Sequence, residues 1–436
     1  MRGYQRLRAT FGVAVLAVVI GASTPLPATA AVDSDAPDSG AAHSDAQWWA
    51  DAYGVDAAHA AGLTGAGVKV AVIEKQINPD LPVFEGTNLT ISDKSVCAAR
   101  EATVTSEITP GSNHGTTMTA MIIGNGAGGG GVRGMAPDAD VTFYGLGPAG
   151  ECEQNDRGGL SEFGFLVKNA VDDGARVIMT AVGITAADVD APAVAYALSR
   201  GVAIVAALQN PTTGGDPKTD ITGMNGVIAV SAIDTKGELQ KTEDGNPYVV
   251  PETTVVAAGC CLPTVGSYDG GWSGSTLRQG SSYASPTVAG MLTLAVQKYP
   301  QATGNQLVHA LLASTNGGIH DPVRAEDGYG YGAAWLPTLL QTDPSIYPDE
   351  TPLMQGPVGT PTAEQIASAR ANGFTPLDTT RKSTFDADAA RGTTFDMGAL
   401  VPWVISGVIT LLVIAAAITT VIVITQRRKT RERNAP

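Results

Sequence analysis

Basic side chains are scarce in this 436-residue chain: 27 Lys and Arg stand against 42 Asp and Glu, a net charge of −15. The deficit deepens between the ends. Arg2, Arg6 and Arg8 open the chain, and five basic residues against Glu432 close it, which leaves 19 basic and 41 acidic residues in between, or −22. A surface of that sign repels phosphate backbones and anionic headgroups, so nucleic acid is excluded as a partner. Cysteine is also sparse. Cys97, Cys152, Cys260 and Cys261 form no paired C-x-x-C motifs, which argues against a zinc module. No internal repeat is present. The glycine-rich stretch 126–131 lacks a preceding strand and a following Lys-Ser/Thr, so it is not a phosphate cradle.

Long apolar runs occur twice. Residues 9–22 follow the three arginines and lead to Pro25, Pro27 and the triplet Ala28-Thr29-Ala30. A basic start, a short apolar core and a small-x-small site predict a signal peptide over 1–30, cleaved after Ala30, with an N-terminal extension over 31–49. The second run, 399–425, carries no charge and exceeds the roughly 20 residues that cross about 30 Å of hydrocarbon. Trp403 suits an interfacial anchor, and Arg427, Arg428, Lys429, Arg431 and Arg433 follow in a basic tail over 426–436. Basic flanks stay on the cytoplasmic side. The expectation is a single-pass protein of the cell membrane, held there by one helix, with its domain outside and its tail in the cytoplasm. Export permits disulfides. Cys97 and Cys152 lie in polar, loop-like stretches and are the preferred pair. The state of the adjacent Cys260 and Cys261 is left open.

Between these ends, short β-branched runs at 68–73, 141–144, 177–180, 202–206, 227–231 and 254–257 alternate with Ala-rich or amphipathic stretches. Strands that are apolar almost throughout, interleaved with helices, predict an α/β domain around a buried, mostly parallel sheet over 50–340. Beyond it, Pro344, Pro348, Pro352, Pro357 and Pro361 punctuate a polar segment. That composition predicts an extended extracellular stalk over 341–398, with at most a short helix near 362–371.

Two motifs carry chemistry. Gly280-Ser281-Ser282-Tyr283-Ala284-Ser285-Pro286 is a turn of mostly small residues that opens an apolar helix. Such a turn exposes a hydroxyl and aims backbone N–H groups at an incoming oxyanion. A serine nucleophile needs a base, and only one of the five histidines has a suitable setting. His114-Gly115-Thr116 opens a second helix, whereas His43, His59, His309 and His320 lie in weak contexts. Each motif alone reads as an ordinary helix start; together, on an exported α/β chain, they point to acyl transfer.

In these motifs the chain resembles the subtilase family. Gly280, Ser282, Ala284 and Pro286 match its Gly-Thr-Ser-x-Ser/Ala-x-Pro signature, with Ser281 in place of the usual Thr. His114 to Thr116 match its His-Gly-Thr, and Gly134 to Pro137 resemble its Gly-Val-Ala-Pro turn. The run Val205 to Asn210 resembles the segment ending in the family's oxyanion-hole asparagine. The resemblance implies a subtilisin-like three-layer fold and a peptide or protein substrate. It also implies a catalytic set of Ser282, His114 and Glu74, with Asn210 in the oxyanion hole and Val182, Gly183 and Ile184 on the substrate-binding edge. The chemistry needs no cofactor or metal, and no motif calls for or excludes structural calcium. The order of signal, peptidase domain, Pro-rich linker, membrane helix and basic tail is similar to the mycosins, which implies type VII secretion machinery as a partner.

The acid turn departs from the pattern. Where the family has Asp-Thr/Ser-Gly after its first core strand, this chain has Glu74-Lys75-Gln76. Glutamate keeps the charge but places the carboxylate about a bond length further out, and a misplacement of about 1 Å can cost on the order of a hundredfold in rate. Gln76 in place of Gly removes backbone freedom from the turn. Leu208 and Gln209 replace small residues before Asn210 and are expected to crowd the oxyanion hole; Met179-Thr180-Ala181 replaces Asn-Met-Ser. Two expectations therefore stand: a serine endopeptidase, or a catalytically impaired relative acting as a structural or binding component of a secretion complex.

Overall fold

In the computed structural model, residues 46–148, 150–185, 188–212, 220–354 and 359–376 are described, and all belong to one compact unit that ends at Pro376. The signal segment, the 399–425 run and the basic tail lie outside these residues. Among the described residues no helix is long and apolar enough to cross a membrane.

Two short helices, α1 (Trp48–Ala52) and α2 (Val55–Ala60), precede β1 (Lys69–Glu74) and the short β2 (Leu89–Ile91). Then come α3 (Pro110–Ile123), β3 (Asp140–Gly145), α4 (Glu162–Asp172), β4 (Val177–Thr180), α5 (Ala191–Ser199), β5 (Ala203–Ala207), β6 (Val227–Ile233) and β7 (Val255–Ala258). The chain continues through β8 (Leu262–Pro263), β9 (Leu277–Arg278), α6 (Ser281–Lys298), α7 (Gly304–Ala313), α8 (Leu336–Gln341) and α9 (Ala363–Asn372). Strands β1 to β7 form one parallel sheet in the order β2-β3-β1-β4-β5-β6-β7, and β8 and β9 make a separate antiparallel pair.

Alternate side chains of the central strands feed two cores. Val70, Val72, Val177, Met179, Val205, Ile228 and Val255 join α3, α6, α7 and α8 on one face. Ala71, Ile73, Ile178, Ile204 and Ala206 meet α4 and α5 on the other. Helices on both faces explain why these strands read as unbroken apolar runs rather than as alternating ones. The strand order reverses around β1, since β2 and β3 lie to one side of it and β4 to β7 to the other. In such sheets the crevice at the carboxyl ends of the strands flanking the reversal is the natural place for a site.

The expected stalk needs correction. Helix α9 lies where a short helix was expected but packs on α5, with Ile366 and Phe374 against the second core and the Phe374 ring edge-on to Tyr196. Gly226 N–H donates to Leu353 O (2.8 Å), and the Asn225 amide to Pro361 O (3.1 Å). Residues 341–354 and 359–376 are thus part of the compact unit. The rest of the predicted stalk, 355–358 and 377–398, lies outside the described residues.

Candidate active site

Glu74 is the last residue of β1, and its carboxylate is wholly buried. One oxygen, Oε2, lies 3.0 Å from His114 Nδ1; the other, Oε1, accepts the Ala181 N–H at 2.9 Å. Ala181 follows β4, so the carboxylate bridges the two strands at the reversal. Next to it, burial holds the Lys75 ammonium below its usual range, an effect the Glu74 charge opposes.

His114 sits in the second turn of α3. Thr109 caps this helix: its Oγ1 accepts the Ser112 N–H (3.0 Å), Ser112 Oγ accepts the Thr109 N–H (2.8 Å), and Pro110 fills a first-turn position where no N–H is needed. Gly115 is required by close approach, because a Cβ there would stand 2.2 Å from Gln76 O and 3.2 Å from Glu74 Cβ. Only a bare backbone lets the histidine helix come this near to the acid turn.

Ser282 is the second residue of α6. A Cβ at Gly280 would lie 3.3 Å from Ser282 Oγ and 3.0 Å from Asn210 Nδ2, so the glycine leaves room for both the hydroxyl and the amide. Asn210 Oδ1 accepts the Ser281 N–H at 2.9 Å, which fixes the amide against the serine turn. Gln240 Nε2 donates to Ser281 Oγ (3.0 Å). Pro286 has no N–H for the Ser282 carbonyl, which instead receives Ser285 Oγ at 3.4 Å. Helices α3 and α6 pack together. Asn113 Nδ2 donates to Val265 O (2.8 Å), and the Val265 N–H donates to Thr117 Oγ1 (3.0 Å), tying the histidine helix to the segment that leads into α6. Ser282 Oγ itself is buried and makes no hydrogen bond among the described residues.

Val182, Gly183 and Ile184 follow Ala181 beyond the carboxyl end of β4. Gly183 is exposed, with open space over it. Ile184 is already engaged, because its carbonyl accepts the Ile221 N–H and its own N–H donates to the Asp220 carboxylate. Asp220, which sequence reasoning missed, is buried. Loss of solvent pushes its carboxyl above the usual range, and hydrogen bonds from Thr222, Gln209 and Ile184 oppose the shift. The expected crowding before Asn210 is not found. Leu208 is consumed in a small cluster with Ala229 and Val250, and the Gln209 amide turns to Asp220. Gln76 is not strained either: among the described residues, the only positive-φ positions other than glycine are Cys261 and Asn316.

Cys97 and Cys152 form a disulfide with Cα atoms 5.4 Å apart, and Cys260 is bonded to its neighbour Cys261. The first bridge lies against Gly147, whose N–H donates to Lys75 O beside the acid turn. No group of three His, Cys, Asp or Glu side chains among the described residues could hold a metal ion.

The Peptidase S8 model of the subtilase family matches residues 65–332. Among curated proteins, the thermostable alkaline protease of Halalkalibacterium halodurans is 27% identical over 265 residues, covering 60% of this chain and 65% of that protein. Subtilisin E of Bacillus subtilis is 28% identical over 264 residues, covering 58% and 61%. The chain spans less than two thirds of the length of either relative. Among solved structures, MycP1 from the ESX-1 type VII secretion system is similar with a TM-score of 0.53 at 20% identity, covering 70% of this chain and 88% of that one. MycP3 protease from the ESX-3 system gives 0.50 at 22%, covering 70% and 90%. At these identities the structural likeness concerns the fold, while the family match takes in the acid turn, the histidine helix and the serine turn. The chain belongs to the subtilase family.

Proposed function

We propose that this protein is a membrane-anchored serine endopeptidase that hydrolyses peptide bonds of exported proteins. The observation that carries the reading is the wholly buried Glu74 carboxylate, fixed by a backbone N–H on one oxygen and set on the His114 imidazole with the other. A buried carboxylate is costly to desolvate, and its use here is to hold the ring in one tautomer and to stabilise the imidazolium that forms. Ser282 Oγ attacks the scissile carbonyl while His114 takes its proton. The oxyanion forms against Asn210 Nδ2 and the Ser282 N–H at the start of α6. His114 then returns the proton to the leaving amine, and water releases the acyl group by the reverse steps. A substrate strand adds beside Val182 and Gly183. The layout of the chain and the likeness of its fold to MycP1 and MycP3 support a place beside type VII secretion machinery.

One observation favours a second reading, a relative of impaired catalysis serving as a binding component: Ser282 Oγ makes no hydrogen bond among the described residues. Catalytic hydrogen bonds commonly tighten only when substrate binds, so the first reading is preferred. The two part on treatment of the purified full chain with a serine-directed fluorophosphonate. Stoichiometric labelling at Ser282, lost in Ser282→Ala along with hydrolysis, is the expected result. A folded wild-type protein that takes up no label, under conditions that label a bacterial subtilisin fully, assigns the binding role instead.

A further inference from the structure

We propose that Gln76 is a positioning residue, which sets the Glu74 turn against the histidine helix so that the longer acid reaches His114 in register. The proposal rests on the functional reading above. A glutamate at the end of β1 must have its backbone held further from the imidazole than an aspartate would need. The segment that follows is fastened on both sides. Leu146 and Gly147 N–H donate to Glu74 O and Lys75 O (both 2.8 Å), and Ile77 N–H donates to Thr103 O (2.9 Å). Asn78 N–H donates to Thr116 Oγ1 at 3.0 Å.

Gln76 ties this segment to the chain around the start of α3. Its Oε1 accepts from Thr109 Oγ1 at 3.0 Å, and its Nε2 donates to Ala102 O at 3.0 Å. Thr109 is the cap of α3, and the main-chain oxygen of Gln76 is the atom that a Cβ at Gly115 would strike. Gln76 therefore touches α3 on both sides of His114, with its side chain at Thr109 and its carbonyl at Gly115. Its backbone lies outside the positive-φ region, so the turn makes no demand for glycine, and what position 76 contributes is the amide. A residue without that amide keeps the contact at Gly115 and loses the one at Thr109, which frees the helix start to tilt about the acid turn.

A mere loop staple would make the same bonds, so the test must read the imidazole. In the purified full chain, the proton on His114 Nδ1 is followed by its downfield NMR resonance, identified by its loss in His114→Gln. Turnover is followed on a peptide ester. Gln76→Ala, or Gln76→Met where the alanine variant folds poorly, is expected to lower kcat about tenfold with KM within about twofold. The same variants should raise the solvent-exchange rate of the Nδ1 proton about tenfold. In a Glu74→Ala background, Gln76→Ala should cost less than about twofold more, because it acts through Glu74. Unchanged kcat and an unchanged resonance in Gln76→Met overturn the proposal, and so does a loss of equal size with and without Glu74. Should the wild type neither turn over nor take up label, the peptidase reading fails; the resonance still decides the role of Gln76, its retention in Gln76→Met counting against and its broadening counting for.

Discussion

Glu74 differs from an aspartate by one methylene, and the structure accommodates it without leaving either oxygen idle. Under the proposed mechanism its carboxylate acts on the imidazole where positive charge develops. Glu74→Ala is therefore expected to lower kcat on the order of 10⁴-fold while KM changes little, as loss of a triad carboxylate does. Glu74→Asp tests the fit more finely. With Gln76 holding the turn, the shorter acid falls short by about 1 Å and should cost on the order of a hundredfold in kcat. A faster Glu74→Asp enzyme would mean that the turn still favours the short acid. Ser282, His114 and Asn210 stand out as candidates in the sequence because each lies in a short local motif. Glu74 was legible only from its place at the end of an apolar strand. The use of Gln76 was hidden, since its partner Thr109 lies 33 residues away in sequence and pairs with it only through the fold. Asp220 was hidden likewise, its meaning residing in contacts with Gln209 and Ile184.

At the scale of elements, the six apolar runs correspond to β1 and β3 to β7, because burial on both faces writes itself into every position of a strand. The run could not disclose β2, a three-residue strand at the sheet edge, half-exposed and holding a threonine at its centre. The end of the domain was misplaced for a related reason. Prolines and polar residues over 341–376 look like extended chain, yet Leu353, Ile366 and Phe374 supply apolar surface at wide spacing, and the segment is fastened to α5 and to Asn225 and Gly226 just before β6. The approach of α3 to the acid turn is tightly constrained packing near the site, and it makes a sharp prediction. Gly115→Ala places a methyl 2.2 Å from a carbonyl oxygen that is itself held in the turn. It should destabilise the fold by about 3 kcal/mol, the upper part of the range for overpacking, read as a lowered denaturant midpoint with unchanged slope. A midpoint within error of wild type would mean that the turn can retreat, and the account of how helix and acid are set together would have to be given up.

On the scale of the whole molecule, charge and apolar runs are distributed so that the compact unit and the two ends want different surroundings. The stretch between the ends carries −22, whereas the first residues and the last eleven are basic, and each basic cluster adjoins an apolar run. A strongly acidic domain gains nothing from an anionic inner leaflet, whereas five basic residues such as those after residue 425 would each gain about 1 kcal/mol at such a surface. The proposed topology follows: an exported domain, one helix over 399–425, and a cytoplasmic tail. Protease added to intact protoplasts should then degrade the domain and leave a small membrane-bound fragment carrying a tag placed after Pro436. A chain cut at residue 398 should appear in the medium with its Cys97–Cys152 bridge formed. The basic tail makes the orientation itself testable: replacing Arg427, Arg428, Lys429, Arg431 and Arg433 by glutamine should weaken retention of the tail on the inner side and expose the tag in part of the population. A domain wholly protected from external protease in the wild type would reverse the topology, and with it the supply of exported substrates on which the proposed function depends.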